Sequence, residues 1–234
     1  VLLEDLGKDS REVHSAASSY AAFLNYAFNP ESGRFRNFMS FDRHWMEQDG
    51  SDESLGRAIW ALGTCVGRSR RRSFQAWAVQ LFEKALPACE KTTSPRTWAL
   101  SLIGIHEYLR RLSGDRLVNQ LRGTLTEKLI ALYEDTASDD WPWFEDIASY
   151  NNARLPHALI LSGRWSDNQR AMQIGLQSLR WLTEMQQSSQ GRFRPIGCNG
   201  FCRRGEPAAE YDQQPIEAHA MVSAAIEAFN AVQD

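Results

Sequence analysis

Apolar residues recur at three- and four-residue spacing along nearly the whole chain, the repeat of helices with one buried face. The pattern predicts eight helices, at roughly 10–28, 53–67, 70–91, 95–113, 115–136, 152–163, 167–187 and 215–232. Ser94 before Pro95 is a start signal, an N-cap followed by proline at the first helical position. Asp115 after Gly114, and Asp167 after the SGRWS turn, are placed to cap in the same way. Strands are confined to short stretches around GRFR.

The helices are of two kinds. Those at 70–91, 115–136 and 167–187 carry Arg, Lys, Glu and Gln on one face, as an outer layer does. The alternate segments, SLGRAIWALGTCVG, PRTWALSLIGI, ARLPHALILSG and PIEAHAMVSAAIEAF, hold few charges on any side and read as inner helices buried nearly all round. A weak internal repeat supports the alternation. NPESGRFRNF follows the first outer helix and SSQGRFRPIG the fourth, and each leads through a loop to an acid-bearing start of an inner helix. The four inner starts, SDESLGR, SPRTW, YNNARLP and YDQQPIEA, are spaced for one αα-hairpin plus loop. If the inner helices run parallel, all four starts open on one face at the positive ends of helix dipoles. The expected fold is all-α, an (α/α) toroid of about four hairpins forming a single domain over residues 1–234. An α-solenoid is the alternative, but the loops before the inner helices are long, aromatic and unequal.

Composition narrows the function classes. The 234 residues are enough for a sizeable core, and a formal net charge of -3 leaves no electrostatic footprint for nucleic acid. The basic run Arg68–Arg72 falls between two helical patterns and reads as a solvated connection. No apolar run reaches the ~20 residues of a membrane span, and no signal peptide opens the chain, so a cytoplasmic setting is expected. Cys65 and Cys89 lie in helical patterns as buried thiols, and the CNGFC pair, Cys198 and Cys202, has no second Cys/His pair with which to hold zinc. No cofactor or metal is expected, since neither GxGxxG nor a P-loop nor HExxH occurs. The chain begins with Val rather than Met and reads as a piece of something longer.

In RFRNF…DRHW…GSDESLGRAIWALG, WPWFEDIASYNNARLPHALILSG, GLQSLRWLTEMQ…GRFRPIG and YDQQPIEAHA the chain resembles the six-hairpin (α/α)6 toroid proteins of carbohydrate metabolism. Within that group it is most similar to the helical toroid domain associated with bacterial group 1 glycosyltransferases. The resemblance spans nearly the whole chain and implies an oligosaccharide or sugar ligand. The wider class includes glycoside hydrolases, polysaccharide lyases and sugar epimerases, so fold alone selects no reaction. Four hairpins instead of six imply either missing hairpins or an open arc, with a flanking domain or an oligomer partner completing the ring.

A sugar site needs aromatic platforms for pyranose faces and polar groups for hydroxyls. Glycoside hydrolysis adds two carboxylates, roughly 5–5.5 Å apart for retention or ~6.5–9.5 Å for inversion. Glu145 and Asp146, flanked by Trp141, Trp143 and Phe144, are the first acid candidates, because aromatic neighbours desolvate a carboxyl. The same letters equally describe tryptophans plugging a floor while the acids cap a helix or brace Arg154. Asp52 is a candidate base or an N-cap, and Arg57 holds either a sugar hydroxyl or a neighbouring acid. Asp212 is the preferred base, with Tyr211 as a platform, and Glu217 is either paired or functional. Tyr150, Asn151, Asn152 and Arg154 form a hydroxyl-reading set or an Asx cap. His157 and His219 are core residues or the pair of an epimerase, and Trp45 beside His44 is a rim contact. Three functions follow as expectations: a glycoside hydrolase-like enzyme, a non-catalytic glycan-binding or scaffold domain of a glycosyltransferase system, and a sugar epimerase or isomerase.

Overall fold

The computed structural model describes Leu6 and residues 10–232. Eight α-helices run through the described residues: α1 Arg11–Ala27, α2 Asp52–Arg68, α3 Arg72–Ala85, α4 Pro95–Leu109, α5 Arg116–Thr136, α6 Arg154–Ser166, α7 Gln169–Met185 and α8 Pro215–Val232. A 3-10 turn, Leu86–Lys91, prolongs α3. The fold is all-α, and no helix among the described residues is long and apolar enough to cross a membrane.

The start signals act locally. Ser94 accepts from the Thr97 amide ahead of Pro95, and Asp115 accepts from the Val118 amide at 3.1 Å. Two expected caps belong to a neighbour instead. Ser51 caps α2 by accepting from Ser54, which leaves Asp52 as the first helical residue. Asn168 caps α7 through Ala171 at 3.0 Å, while Asp167 takes the left-handed position that ends α6, with φ 52°. Serine and asparagine place their short acceptor over the first turn as well as aspartate does, so one position of slippage costs nothing.

The chain divides into two compact units, residues 1–125 and 126–234, the division falling within α5. In unit 1, α2 packs along α4 and against α3. Glycines set the α2–α4 spacing. A Cβ on Gly56 would meet Thr97 and Leu100, one on Gly63 would land on the Gly104 carbonyl, and one on Gly67 would strike the Glu107 carbonyl. Ascending residues meet ascending residues, so α2 and α4 run parallel. Arg68 closes the far end with a two-pronged ion pair to Glu107, 2.6 and 2.7 Å long. Thirteen of the fifteen residues of α4 are buried, as expected for an inner helix.

In unit 2, α6 and α7 form an antiparallel hairpin in which Gly163 faces Asn168 and Met172, and Gly175 faces Ile160 and Pro156. Helix α8 packs on α6 and runs parallel to it, since Arg154 reaches His219 at one end and Arg164 reaches Glu227 at 3.0 Å towards the other. Each unit therefore holds one pair of parallel inner helices. Helix α8 departs from expectation in one respect. Only Glu217, Ala220, Met221 and Ala224 are buried, while Val222, Ile226, Phe229 and Val232 form an exposed apolar stripe.

Both GRFR copies make tight turns on left-handed glycines, Gly33 at φ 73° and Gly191 at φ 72°. The first becomes a two-stranded ladder, β1 Phe28–Asn29 with β2 Arg34–Phe35. The second makes a single bridge between Gln187 and Phe193. A second short ladder, β3 Ile147–Ala148 with β4 Cys202–Arg203, is one the sequence pattern did not announce.

Candidate functional site

Of the site residues singled out by sequence, His44, Trp45, Asp52 and Arg57 belong to unit 1 and the rest to unit 2. Asp52 is held by Arg34 of the first GRFR copy at 2.6 Å, and the same guanidinium also donates to the Gly50 carbonyl at 2.9 Å. Arg57 pairs with Glu53 one turn away on the surface of α2, 2.6 Å apart. Trp45 lies against Phe23 and Tyr26, with ring centroids at 5.9 and 5.2 Å, and the Arg36 guanidinium sits over it.

In unit 2 the aromatic-acid loop turns its rings inward. Trp141 and Trp143 are buried, and both pack on Trp181 of α7, at 4.8 and 5.2 Å between centroids. Phe144 meets Trp143 and Tyr133 edge-on. The Trp141 indole N–H donates to the Glu145 carbonyl at 2.8 Å, which folds the loop back over its own rings. Neither tryptophan has a face to offer a sugar, and the platform expectation for both is corrected. Burying such rings against one another is worth more than leaving them in water. Asp146 points the opposite way. Its side chain is 83% exposed and stands 3.7 Å from Arg204, so the rings do not shield it and its partner is not Arg154. Glu145 is half-buried.

The starts of α6 and α8 converge around a carboxylate the sequence reading had left undecided. Glu217, in the first turn of α8 and 1% exposed, accepts from the Asn151 and Asn152 amides and from the Asn152 side chain at 3.1 Å. Gln186, at the end of α7, donates to it at 3.3 Å. Asn151 adopts φ 51°, a left-handed conformation asparagine tolerates better than most residues. It aims two successive amides at one carboxylate, so Glu217 ties two helix starts together at their electropositive ends.

Beside it lies Arg154, 1% exposed, which donates from Nη1 to His157 Nδ1 at 3.3 Å and from Nη2 to His219 Nδ1 at 2.9 Å. A guanidinium only donates, so both Nδ1 atoms accept and both imidazoles carry their proton on Nε2. His157 is buried and His219 is exposed. Burial, and then the Arg154 charge, hold His219 below the usual histidine range, which keeps it neutral at pH 7. The two histidines named for an epimerase share Arg154 as their partner. Their Nδ1 lone pairs are spent on Arg154, which makes each ring an Nε2–H donor rather than an open base.

Tyr211 and Asp212 lie on the entry to α8, both exposed, with Asp212 at φ 60° and its carbonyl accepting from the Cys198 amide at 3.2 Å. The charges of Glu217 and Asp212 both reach the Cys198 thiol, which burial first and these carboxylates second push up. Gly197 is required here, since a Cβ would collide with the Tyr211 backbone. Tyr150 is half-buried and leads into Asn151. The structure thus gathers Asn151, Asn152, Arg154, His157, Glu217 and His219, while Tyr211 and Asp212 lie on the exposed entry to α8 against Gly197 and Cys198. Gln186 had no sequence signal, because it sits just past an outer helix among other glutamines. No group of three or more His, Cys, Asp or Glu side chains among the described residues is placed to hold a metal ion.

No protein-family model matches the chain, and no curated protein or solved structure is significantly similar to it.

Proposed function

We propose that the chain is a non-catalytic glycan-binding domain built on the (α/α) toroid plan, serving a cytoplasmic carbohydrate-processing or glycosyltransferase system. The observation that carries this reading is the convergence of the α6 and α8 starts, where the buried Arg154 holds His157 and the exposed His219, while the exposed ring of Tyr211 and carboxylate of Asp212 lie on the entry to α8. Donor, acceptor and aromatic face are the three elements by which a pyranose is held. A hydrolase reading needs one carboxyl kept protonated by an apolar surrounding. Of the unit 2 candidates, the buried Glu217 is committed to four donors, Glu145 is half-buried, and Asp146 and Asp212 stand in solvent. This charge distribution favours binding over bond cleavage.

The test is a glycan array followed by isothermal titration calorimetry on the best ligand. Tyr211→Ala and His219→Ala should each weaken binding by about tenfold, the loss of one stacking ring or one hydrogen bond. Prolonged incubation should release no product. Turnover that disappears in Asp146→Asn or Asp212→Asn, or unchanged affinity in both binding variants, would overturn the reading.

A further inference from the structure

The far end of unit 1, where α2 and α4 finish side by side, carries a charge pattern that takes no part in the site above. Residues 68–72 and 110–122 hold eight arginines, no lysine and one acid, Asp115. The two segments form one surface. Gly67 abuts the Glu107 carbonyl, Arg68 makes its two-pronged pair with Glu107, and Arg110 approaches the same carboxylate at 3.6 Å. The other nearby acids are engaged. Asp115 accepts from the Val118 amide at 3.1 Å, and the Tyr108 hydroxyl stands 2.9 Å from Asp115 and 3.0 Å from Glu83. Arg70, Arg72, Arg111 and Arg116 are exposed and make no ion pair among the described residues.

Helix stability does not account for these four. Arg68 and Arg110, at the ends of α2 and α4, face the negative ends of their helix dipoles and gain from them. Arg72 is the first residue of α3 and Arg116 the first of α5, where a cation meets the positive end, and neither first turn holds an acid to offset it. Arg70 and Arg111 lie in the connections. Charges set against the dipole and in turns call for a counter-charge from outside the chain. Arginine in place of lysine throughout suits phosphate, whose oxygens match the guanidinium fork. Two leucines stand among these cations: Leu112, 37% exposed, follows Arg111, and Leu117, 57% exposed, follows Arg116. The turn that carries them is ordered, with the Arg111 and Leu112 amides donating to the Tyr108 carbonyl at 3.2 Å and the Asp115 amide to the Leu112 carbonyl at 3.1 Å. The two segments contain no aromatic residue on which a nucleic-acid base could stack. Phosphate-reading cations interleaved with exposed leucines match a lipid headgroup layer and the acyl boundary beneath it.

We propose that this end of unit 1 docks on an anionic lipid bilayer, with Arg70, Arg72, Arg111 and Arg116 on lipid phosphates and Leu112 and Leu117 at the headgroup boundary. Because α2 and α4 run parallel, their starts then face away from the lipid. The proposal does not rest on the sugar reading of unit 2.

The test is co-sedimentation of the whole chain with vesicles of phosphatidylcholine containing about one third phosphatidylserine, and with vesicles of phosphatidylcholine alone. Binding to the anionic vesicles only is expected, and it should fall away as salt rises towards about 0.5 M. Each arginine near the surface contributes about fivefold, so Arg72→Gln combined with Arg116→Gln should weaken binding by about 25-fold. The same variant should keep or raise the thermal midpoint, because both charges oppose their helix dipoles, so lost binding cannot be ascribed to unfolding. Leu112→Ser combined with Leu117→Ser should also weaken binding, at unchanged charge. No binding, equal binding to both vesicles, or wild-type affinity in the arginine variant would overturn the proposal. A lowered midpoint in that variant would count against it as well, since the charges would then serve the fold. Tighter retention on duplex DNA than on vesicles, with full vesicle binding in the leucine variant, would also overturn it and reassign the arginines to nucleic acid.

Discussion

Replacing Glu217 by alanine should damage unit 2 more than any surface change, and the size of the effect follows from its partners. The carboxylate accepts from two backbone amides, Asn151 and Asn152, and from the side chains of Asn152 and Gln186. The Asn152 amide retains the Ser149 carbonyl at 3.2 Å, so three donors lose their acceptor outright. A buried donor left without a partner costs about 1–3 kcal/mol, and water entering the vacated volume recovers part of it. The expected loss is about 3–5 kcal/mol for Glu217→Ala and about 1–2 kcal/mol for Glu217→Gln, which retains one acceptor oxygen. For a cooperative unit of about 100 residues, 3 kcal/mol lowers the midpoint by roughly 15 °C. Guanidinium unfolding gives the energy, and hydrogen exchange at the Asn151 and Asn152 amides localises it. An alanine variant within about 1 kcal/mol of wild type, or one with those two amides equally protected, would refute the brace.

Four further outcomes are expected. Gly63→Ala should destabilise unit 1 by more than about 2 kcal/mol, because the new Cβ meets the backbone of Gly104, whereas Gly123→Ala, with open space around it, should stabilise by about 0.5–1 kcal/mol; thermal unfolding of the two reads both signs. Burial first, and then the charges of Arg110, Arg122 and Arg68 against that of Glu107, push His106 down to about 4 from 6.5. The unfolded chain therefore takes up the proton first, so stability is full well above pH 6.5 and declines by about 3 kcal/mol as the pH falls towards 4. Unfolding of His106→Gln should be flatter across that window. The Cys89 thiol, pushed up to about 12 mainly by burial, should resist alkylation in the native protein and react at once in denaturant, as mass spectrometry of the labelled peptides will show. Asp146→Asn should shift stability by less than about 0.5 kcal/mol, since its carboxylate is exposed and its contact with Arg204 is long.

The helices were legible because burial imposes a period, and the period survives in the letters. PRTWALSLIGI announces a helix surrounded on all sides, and α4 is one. PIEAHAMVSAAIEAF looks equally apolar, yet α8 keeps one side open, because hydrophobic letters do not specify whether a neighbour is there to cover them. The site divides in the same way. That YNNARLP and YDQQPIEA would converge followed from the helix starts, and Asn151, Arg154, His157 and Glu217 do meet. Which acid would be buried did not follow. Glu145 and Asp146 have aromatic neighbours in sequence, but consecutive residues of an irregular loop point in different directions, so Trp143 went inward while Asp146 went out. The pairing of Arg34 with Asp52 and of Arg154 with two imidazoles depends on distances that no local pattern encodes.

The glycine seam between α2 and α4 makes unit 1 unequally tolerant of length change. Gly56 sits opposite Thr97, Gly63 opposite Gly104 and Gly67 opposite Glu107, so the match is kept by helix phase alone. A residue added in the exposed turn around Ser113 and Gly114, downstream of the seam, leaves every one of those meetings intact. A single residue added within α2 rotates everything beyond it by about 100° and carries Gly63 off the Gly104 carbonyl, bringing a full side chain to a place where two backbones touch. Drift in the length of this chain should therefore collect in its turns and stop sharply at residue 52.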